Sequence, residues 1–382
     1  MKIVYPDYDR SILSTLNSCL RYYGAGIAYP TLPELDALIN TRPRHVMLLL
    51  LDGMGKWPLH RALKEDSYLR DREIATVTSI YPSTTAAATT AYFAAQSALE
   101  HGWLGWHVHM KEYAADVILF QSRTYHTEKP VDGPEPGPHS LPFESTFERV
   151  RRFRPEICTN SIYPFETYSE HGAQCRRRAN SFGEMCRNLQ EISASPRPSF
   201  TIAYWPEPDS TMHRFGEGSK EANQMFRDLD RQLRDLRERL ADTLLIVTAD
   251  HGMINVTEPV DVAKIPALLE TLVLPPSVEP RAGAFYVKNH RRREFEQAFR
   301  EECGEDFLLL TREEVLETGL LGRGRQHPRI DDFLGDYFAC ATGRRFFQFS
   351  LPDGRPKYFL KGQHAGLTED EMLVSVLAER IP

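Results

Sequence analysis

The stretch His45-Val-Met-Leu-Leu-Leu-Leu51, which runs directly into Asp52-Gly-Met-Gly55, indicates how the rest of the chain folds. A continuous apolar run of this length is typical of a central strand that is covered on both faces. Two further runs of the same kind are Ser199–Trp205 and Thr243–Thr248, and helical patterns alternate with them along the chain. This alternation predicts an α/β fold with a central, mostly parallel sheet and helices on both faces.

Acidic residues and histidines follow these predicted strands, and a glycine-flanked loop near the C-terminus adds one more histidine. The six side chains are Asp52, Asp209, His213, Asp250, His251 and His364. The carboxyl ends of parallel strands meet at one edge of an open α/β sheet, where such sheets hold ligands. Imidazole and carboxylate are the ligands that zinc takes outside structural cysteine sites. Six groups are more than one tetrahedral ion binds, so the pattern favours two ions about 4 Å apart.

Three consecutive hydroxyl residues, Ser83, Thr84 and Thr85, lie between a β-branched run at 76–80 and an alanine-rich segment from Ala86. The pattern predicts a strand, a short loop and a helix N-terminus. Backbone N–H groups and the positive end of the helix dipole make such an N-terminus favourable for a phosphate group. Serine and threonine are also common helix caps, so this loop alone leaves both interpretations open.

Composition excludes several classes of protein. The net charge of −7 argues against a general nucleic-acid surface, which usually needs a basic stripe. The six cysteines form no Cys-x-x-Cys pair, and we expect them to be reduced thiols. Residues 1–10 contain no long apolar segment, so we expect neither a signal peptide nor a membrane span, and a cytoplasmic location.

The character of the sequence changes between residues 259 and 327, where a short predicted strand is followed by charged predicted helices. We therefore expect two units. Residues 1–258 and 328–382 are predicted to form a metal-binding α/β catalytic core. Residues 259–327 are predicted to form a small inserted α+β cap subdomain.

The motifs occur in an order that resembles the alkaline phosphatase superfamily, and most closely its type I phosphodiesterase/nucleotide pyrophosphatase family. They are Asp52-Gly, Tyr81-Pro-Ser-Thr-Thr85, Asp209-x-x-x-His213, Asp250-His-Gly252 and Gly362-Gln-His364-Ala-Gly366. The match spans roughly residues 45–255 and 330–375, and the predicted cap falls where such enzymes carry insertions. The resemblance implies an alkaline-phosphatase-like fold that binds two Zn²⁺ ions per chain, with Mn²⁺ or Fe as the alternative metals.

The resemblance also implies a role for each motif residue. The ligands of one zinc are Asp209, His213 and His364, and those of the other are Asp52, Asp250, His251 and the oxygen of Thr85. Thr85 stands at the position of the family's nucleophile, with Ser83 and Thr84 as the fallback candidates.

The implied activity is that of a zinc-dependent hydrolase of phosphate esters, most closely a phosphodiesterase or nucleotide pyrophosphatase. It would act through a covalent phospho-threonine intermediate. A phosphomonoesterase, a phosphonate hydrolase and a phosphomutase of the same superfamily remain open alternatives. We expect a small phosphate ester or nucleotide as the partner, and no long nucleic acid or membrane, because the acidic chain lacks a basic track. The sequence leaves open whether the protein is a monomer or a dimer.

Two positions depart from the nucleotide-binding pattern of the family. Trp106 stands where the resemblance places a phosphate-contacting asparagine, and Ala86 stands where it places an aromatic residue that stacks on the base. A second aromatic position, five residues before Asp209, is kept as Tyr204. We therefore expect Tyr204 to stack on a nucleobase or to be part of the core. Trp103 and Trp106 are the candidates for a replacement wall of the substrate site.

Overall fold

A computed structural model describes residues 1–350 and 360–382. Its strands are β1 (His45–Leu51), β2 (Glu73–Thr78), β3 (His107–Met110), β4 (Ala115–Ile118), β5 (Arg123–Thr124), β6 (Cys158–Tyr163), β7 (Cys175–Arg178), β8 (Ser199–Trp205), β9 (Thr243–Thr248), β10 (Ile254–Asn255), β11 (Pro259–Asp261), β12 (Ser277–Glu279), β13 (Ala282–Phe285), β14 (Phe307–Thr311), β15 (Tyr337–Ala341), β16 (Phe346–Gln348), β17 (Gly362–Gln363) and β18 (Leu373–Ile381).

The helices lie between these strands. They are α1 (Ile12–Tyr22), α2 (Pro33–Ile39), α3 (Lys56–Ala62), α4 (Tyr68–Asp71), α5 (Thr85–Ala94), α6 (Ala98–His101), α7 (Pro136–Ser140), α8 (Thr146–Phe153), α9 (Phe182–Ser193), α10 (Asp209–Phe215), α11 (Lys220–Arg237), α12 (Pro266–Leu269), α13 (Arg292–Cys303), α14 (Arg312–Glu317), α15 (Ile330–Leu334) and α16 (Glu369–Met372). No helix in these described ranges combines the length and apolar character needed to cross a membrane.

The main sheet has the strand order β2-β18-β9-β1-β8-β6-β7. The strands from β9 to β7 pair in parallel, whereas β18 pairs antiparallel with both of its neighbours. Every residue of β1 is buried, as its continuous apolar run predicts for a strand covered on both faces. The prediction of an α/β fold with a mostly parallel central sheet is confirmed.

A second, antiparallel sheet has the strand order β14-β15-β13-β12-β3-β4-β5. The predicted cap, residues 259–327, supplies only β12, β13 and β14 of this sheet. The other strands, β3, β4, β5 and β15, come from ranges predicted to belong to the core. A cap with the bounds 259–327 stays a prediction, and residues 351–359 of the predicted core lie outside the described residues.

A buried ion pair joins the second sheet to the C-terminal part of the chain. Arg281, between β12 and β13, donates from Nε to Glu371 in α16 at 2.7 Å and from Nη2 at 2.8 Å, and neither side chain is exposed. Arg281 also donates to the carbonyl of Gly343, and Glu371 accepts from the backbone N–H of Gly366. The pair thereby holds the loop that carries His364 against the second sheet.

Candidate active site

The three strand-end carboxylates meet at one edge of the main sheet because β9, β1 and β8 are adjacent and parallel. Asp52 directly follows β1, Asp250 follows β9, and Asp209 begins the helix after β8. All three are buried. Hydrogen bonds from backbone N–H groups connect the three strand ends: Asp209 donates to the Asp52 carbonyl at 3.0 Å, and Gly53 donates to the Asp250 carboxylate at 3.1 Å.

The three histidines point their Nε2 atoms into this cluster of acids. Each contacts a backbone carbonyl through Nδ1. The pairs are His213 with Gly362 at 2.7 Å, His251 with Gly252 at 2.9 Å, and His364 with Ser83 at 3.2 Å. A carbonyl can only accept, so Nδ1 carries the proton and Nε2 is left for the centre of the site, as in histidines that bind metals.

Two of the three predicted hydroxyls have structural partners. Ser83 donates to the carbonyl of Gly366 at 2.9 Å, and Thr84 donates to the Glu279 carboxylate at 2.6 Å. Thr84 occupies the N-cap position of α5, but its hydroxyl serves Glu279 rather than the helix end. Both residues are buried, so neither hydroxyl is available at the centre of the site.

Thr85, the first residue of α5, has a different environment. Its Oγ1 lies 3.1 Å from Nε2 of His251 and 3.4 Å from each carboxylate oxygen of Asp52. The residue is partly exposed, toward a cavity of about 730 Å³ that it lines together with Asp52. The structure thus brings Thr85, and neither of its hydroxyl neighbours, to the acids and histidines.

Two groups of side chains are close enough to hold metal ions. The groups are Asp52, Asp250 and His251, and Asp209, His251 and His364, with ligand atoms within 4.8 Å of one another in each group. His213 lies beside the second group, with its Nε2 3.1 Å from Asp209 Oδ2. His251 therefore belongs to both groups, whereas the sequence predicted it for one zinc only.

Two buried carboxylate oxygens show whether metal ions fit the site. Oδ1 of Asp209 and Oδ2 of Asp250 are buried and have no hydrogen-bond partner among the described residues. Leaving a buried carboxylate oxygen unsatisfied is costly, and a divalent cation removes that cost. The set of carboxylates and imidazoles is one that zinc, manganese and iron accept. The residues present therefore fit the two metals that the sequence predicts.

Without metals, proximity and burial perturb the acids and histidines strongly. Burial, and then the charges of Asp250 and Asp209, raise the pKa of Asp52 well above its usual value, and burial raises the pKa of Asp250 to about 7. Burial alone would raise the pKa of Asp209 and lower that of His213. Their mutual attraction outweighs burial in both, so the pKa of Asp209 falls well below its usual value and that of His213 rises to about 9.

These pKa values predict that metal affinity rises with pH. A metal must displace the proton of His213 below about pH 9, and also that of Asp250 below about 7. Apparent Zn²⁺ affinity should therefore increase about tenfold per pH unit between these values and more steeply below them. Competition with a chromogenic chelator measures it. An affinity that does not change with pH contradicts the prediction, and His213→Ala should lose the slope above neutrality.

Tyr204 and Trp106, the predicted substrate-binding residues, both line the cavity. Tyr204 is buried and donates its hydroxyl to Asp52, and its ring stacks on Tyr163 with centroids 4.8 Å apart. Trp106 is 37% exposed, whereas Trp103 is buried and is not among the described residues that line the cavity. Base stacking by Tyr204 and a wall formed by Trp106 stay predictions. The hydroxyl of Tyr204 orients the carboxylate of Asp52.

The contact between Tyr204 and Asp52 predicts a measurable effect. Tyr204→Phe keeps the stacked ring and removes the hydroxyl that orients a metal-ligand candidate, so zinc affinity should fall by roughly 10–100-fold. Chelator competition measures the affinity. Tyr163→Phe is the matched control, since Tyr163 shares the stack, and its affinity should stay close to that of the unmodified protein. Equal zinc affinities of the two variants would show that the Tyr204 hydroxyl does not orient Asp52 for metal binding.

Several cavity residues have no pattern in the sequence that marks them. The aromatic ones are Phe120, Tyr125, Tyr163 and Phe165, which line the cavity together with the predicted Trp106 and Tyr204. Glu279, at the end of β12, also lines the cavity. Burial raises the pKa of Glu279 to about 7. The sequence did not identify Glu279 as a site residue, because Glu279 lies in the predicted cap. The pairing of β12 with β3 brings it to the core.

Comparisons with known proteins show what this chain is similar to. A family model described as type I phosphodiesterase/nucleotide pyrophosphatase matches residues 46–335. Human ectonucleotide pyrophosphatase/phosphodiesterase family member 7 is 49% identical over 59 residues, which are 14% of this chain and 13% of that protein. The matched segment thus spans only a small part of the curated relative.

Solved structures show the same fold at low sequence identity. Murine ectonucleotide pyrophosphatase/phosphodiesterase 5 has a TM-score of 0.66 and 17% identity, and 87% of each chain is covered. An inactive variant of that protein in complex with AMP has a TM-score of 0.64. Phosphonoacetate hydrolase from Sinorhizobium meliloti 1021, in complex with phosphonoformate, has a TM-score of 0.65 and 15% identity, over 89% of this chain and 91% of that one.

Proposed function

Because the chain belongs to the type I phosphodiesterase/nucleotide pyrophosphatase family, we propose that it is a two-metal hydrolase of small phosphate diesters, nucleotides among them, with Thr85 as the nucleophile. One observation carries the proposal. The Thr85 hydroxyl lies within 3.4 Å of both Asp52 and His251, at the open end of a cluster of acids and histidines.

We propose that one metal is held by Asp209, His213 and His364, and the other by Asp52, Asp250 and His251 together with Thr85. Zinc is our choice, with Mn²⁺ or Fe as alternatives. When bound, two divalent cations lower the pKa of a coordinated oxygen acid and neutralise charge on the phosphoryl oxygens. Metal analysis of the purified protein by mass spectrometry tests both the identity and the number of ions.

The residues of the chain perform the rest of the reaction. The carboxylate of Asp52 is the acceptor in reach of the Thr85 proton, because Nε2 of His251 is a proposed metal ligand and would have no free lone pair. Oγ1 attacks phosphorus, the bond to the leaving alcohol breaks, and a phospho-threonine diester remains. Water then cleaves the bond between phosphorus and Oγ1, which releases a phosphate monoester and restores the hydroxyl. The N-terminus of α5 stabilises negative charge on the phosphate in both steps.

The cavity favours a substrate whose second substituent is apolar or aromatic. Its wall carries the six aromatic side chains named above, and no Lys or Arg is among the described residues that line it. A nucleobase or another ring can pack against such a wall. A phosphonate with a second anionic group needs a cationic partner, which this part of the wall does not supply. A phosphodiesterase is therefore favoured over a phosphonate hydrolase.

Steady-state hydrolysis of three chromogenic esters by zinc-loaded protein tests the proposal. The substrates are a nitrophenyl diester, a nitrophenyl nucleotide and a nitrophenyl monoester. We expect higher kcat/KM for the diester or the nucleotide than for the monoester. A preference for the monoester would favour the phosphomonoesterase alternative. If none of the three esters is turned over, phosphonate hydrolysis and the mutase reaction are the next candidates.

A cytoplasmic location stays a prediction, which localisation of the tagged protein in cells would test.

A further inference from the structure

Glu279 is a buried carboxylate that the proposed reaction does not use. Its Oε1 accepts from the Thr84 hydroxyl at 2.6 Å and from the backbone N–H of Trp106 at 2.7 Å. Thr84 immediately precedes the proposed nucleophile, and Trp106 stands at the position where the family resemblance places a phosphate contact. The two hydrogen bonds hold the carboxylate in the wall of the cavity that Thr85 also lines.

The charged groups that act on Glu279 include two histidines. In residues 1–350 and 360–382, no Lys or Arg forms an ion pair with it. His251 and His213, in the cluster of acids and histidines, act electrostatically on the Glu279 carboxylate. A carboxylate here accepts hydrogen bonds and repels anions, whereas the amide in the family pattern donates. Repulsion inside a cavity of low dielectric scales with the charge of the bound group.

We propose that Glu279 is a specificity-determining residue, which makes the site select phosphate groups with one negative charge over those with two. Phosphate diesters carry one charge and monoesters carry two at alkaline pH. The inference rests on the proposed function for its reaction, but its electrostatic basis applies to any phosphate that enters the cavity. It predicts that the product monoester is bound weakly and leaves readily.

Glu279→Gln tests this directly. The amide oxygen can still accept from Thr84 and Trp106, and the side chain keeps its size, but the charge is gone. We expect kcat/KM for the nitrophenyl monoester to rise about tenfold or more relative to that for the diester, at about pH 9, where Glu279 is ionised.

Two controls separate charge from structure. Glu279→Asp keeps the charge and disturbs both hydrogen bonds, so the preference for diesters should persist. Glu166→Gln removes a carboxylate at the cavity rim whose side chain is 94% exposed, and the diester-to-monoester ratio should change little. If Gln and Asp at position 279 lower both activities in parallel, Glu279 is a structural residue and the inference is wrong.

A binding measurement makes the test independent of turnover. Inorganic phosphate, which carries two charges at about pH 9, should bind zinc-loaded Glu279→Gln about tenfold or more tightly than the unmodified protein by calorimetry. Equal phosphate affinity would overturn the inference. If the unmodified protein hydrolyses none of the esters, the proposed function fails, while the phosphate affinities still decide the role of Glu279.

Discussion

Thr85→Ala is expected to lower kcat/KM by about 10³-fold or more, because it removes the only hydroxyl of the loop that reaches the acids and histidines. Ser83 and Thr84 cannot substitute for it without giving up their bonds to Gly366 and Glu279. Zinc content should remain close to two ions per chain, because the variant removes only Thr85 and leaves the six proposed acid and histidine ligands in place. Loss of activity with retained metal would therefore assign the defect to the nucleophile.

Matched variants of the same loop sharpen this test. Thr85→Ser keeps a hydroxyl and should retain substantial activity, and brief acid quenching of the reaction should trap phosphate on residue 85 in peptide mass spectrometry. Ser83→Ala should have a small effect on kcat. If Thr85→Ala turns over at nearly the normal rate while Ser83→Ala does not, the nucleophile has been assigned to the wrong hydroxyl.

Breaking the buried pair of Arg281 and Glu371 is expected to have the largest effect on stability. Glu371→Gln removes the charge that Arg281 needs, and Arg281 has no access to water. An uncompensated buried charge costs about 3–5 kcal/mol, so the free energy of unfolding should fall by that amount. Urea unfolding of the metal-loaded protein, followed by circular dichroism, measures the change.

Two further variants test the cause of this loss. The double variant Arg281→Met with Glu371→Leu removes both charges and should recover much of the stability, because an apolar pair carries no desolvation cost. Arg231→Met breaks an ion pair with Asp228 in which the arginine is 67% exposed, and stability should change little. A loss from Glu371→Gln no larger than that from Arg231→Met would mean that water reaches the pair.

The parts of the molecule that could be predicted from sequence are those with local signals. Three apolar runs, each followed by an acid, predict a parallel sheet with a site at its edge, and Asp52, Asp209 and Asp250 do meet there. Glu279 could not be predicted, because a distant strand pairing brings it to the site. The hydrogen bond of Tyr204 to Asp52 depends on side-chain direction, which strand pattern alone does not give.

The bounds of a cap were difficult to predict for the same reason. A change in composition between residues 259 and 327 is a local signal, but the second sheet is assembled from strands far apart in the chain. β3, β4 and β5 precede the segment, and β15 follows it. Antiparallel pairing between distant strands leaves little trace in either partner, since each one reads only as a short alternating or apolar run.

The carbonyls that orient His213, His251 and His364 belong to the main chain. A side-chain substitution does not delete a main-chain acceptor, so the three rings keep their partners as long as Gly252 and Gly362, where a Cβ would meet backbone atoms, are retained. The walls of the cavity, in contrast, are side chains such as Trp106 and Glu279. Mutation can therefore diversify the molecules this site accepts over evolutionary time, while the chemistry at its centre is inherited unchanged.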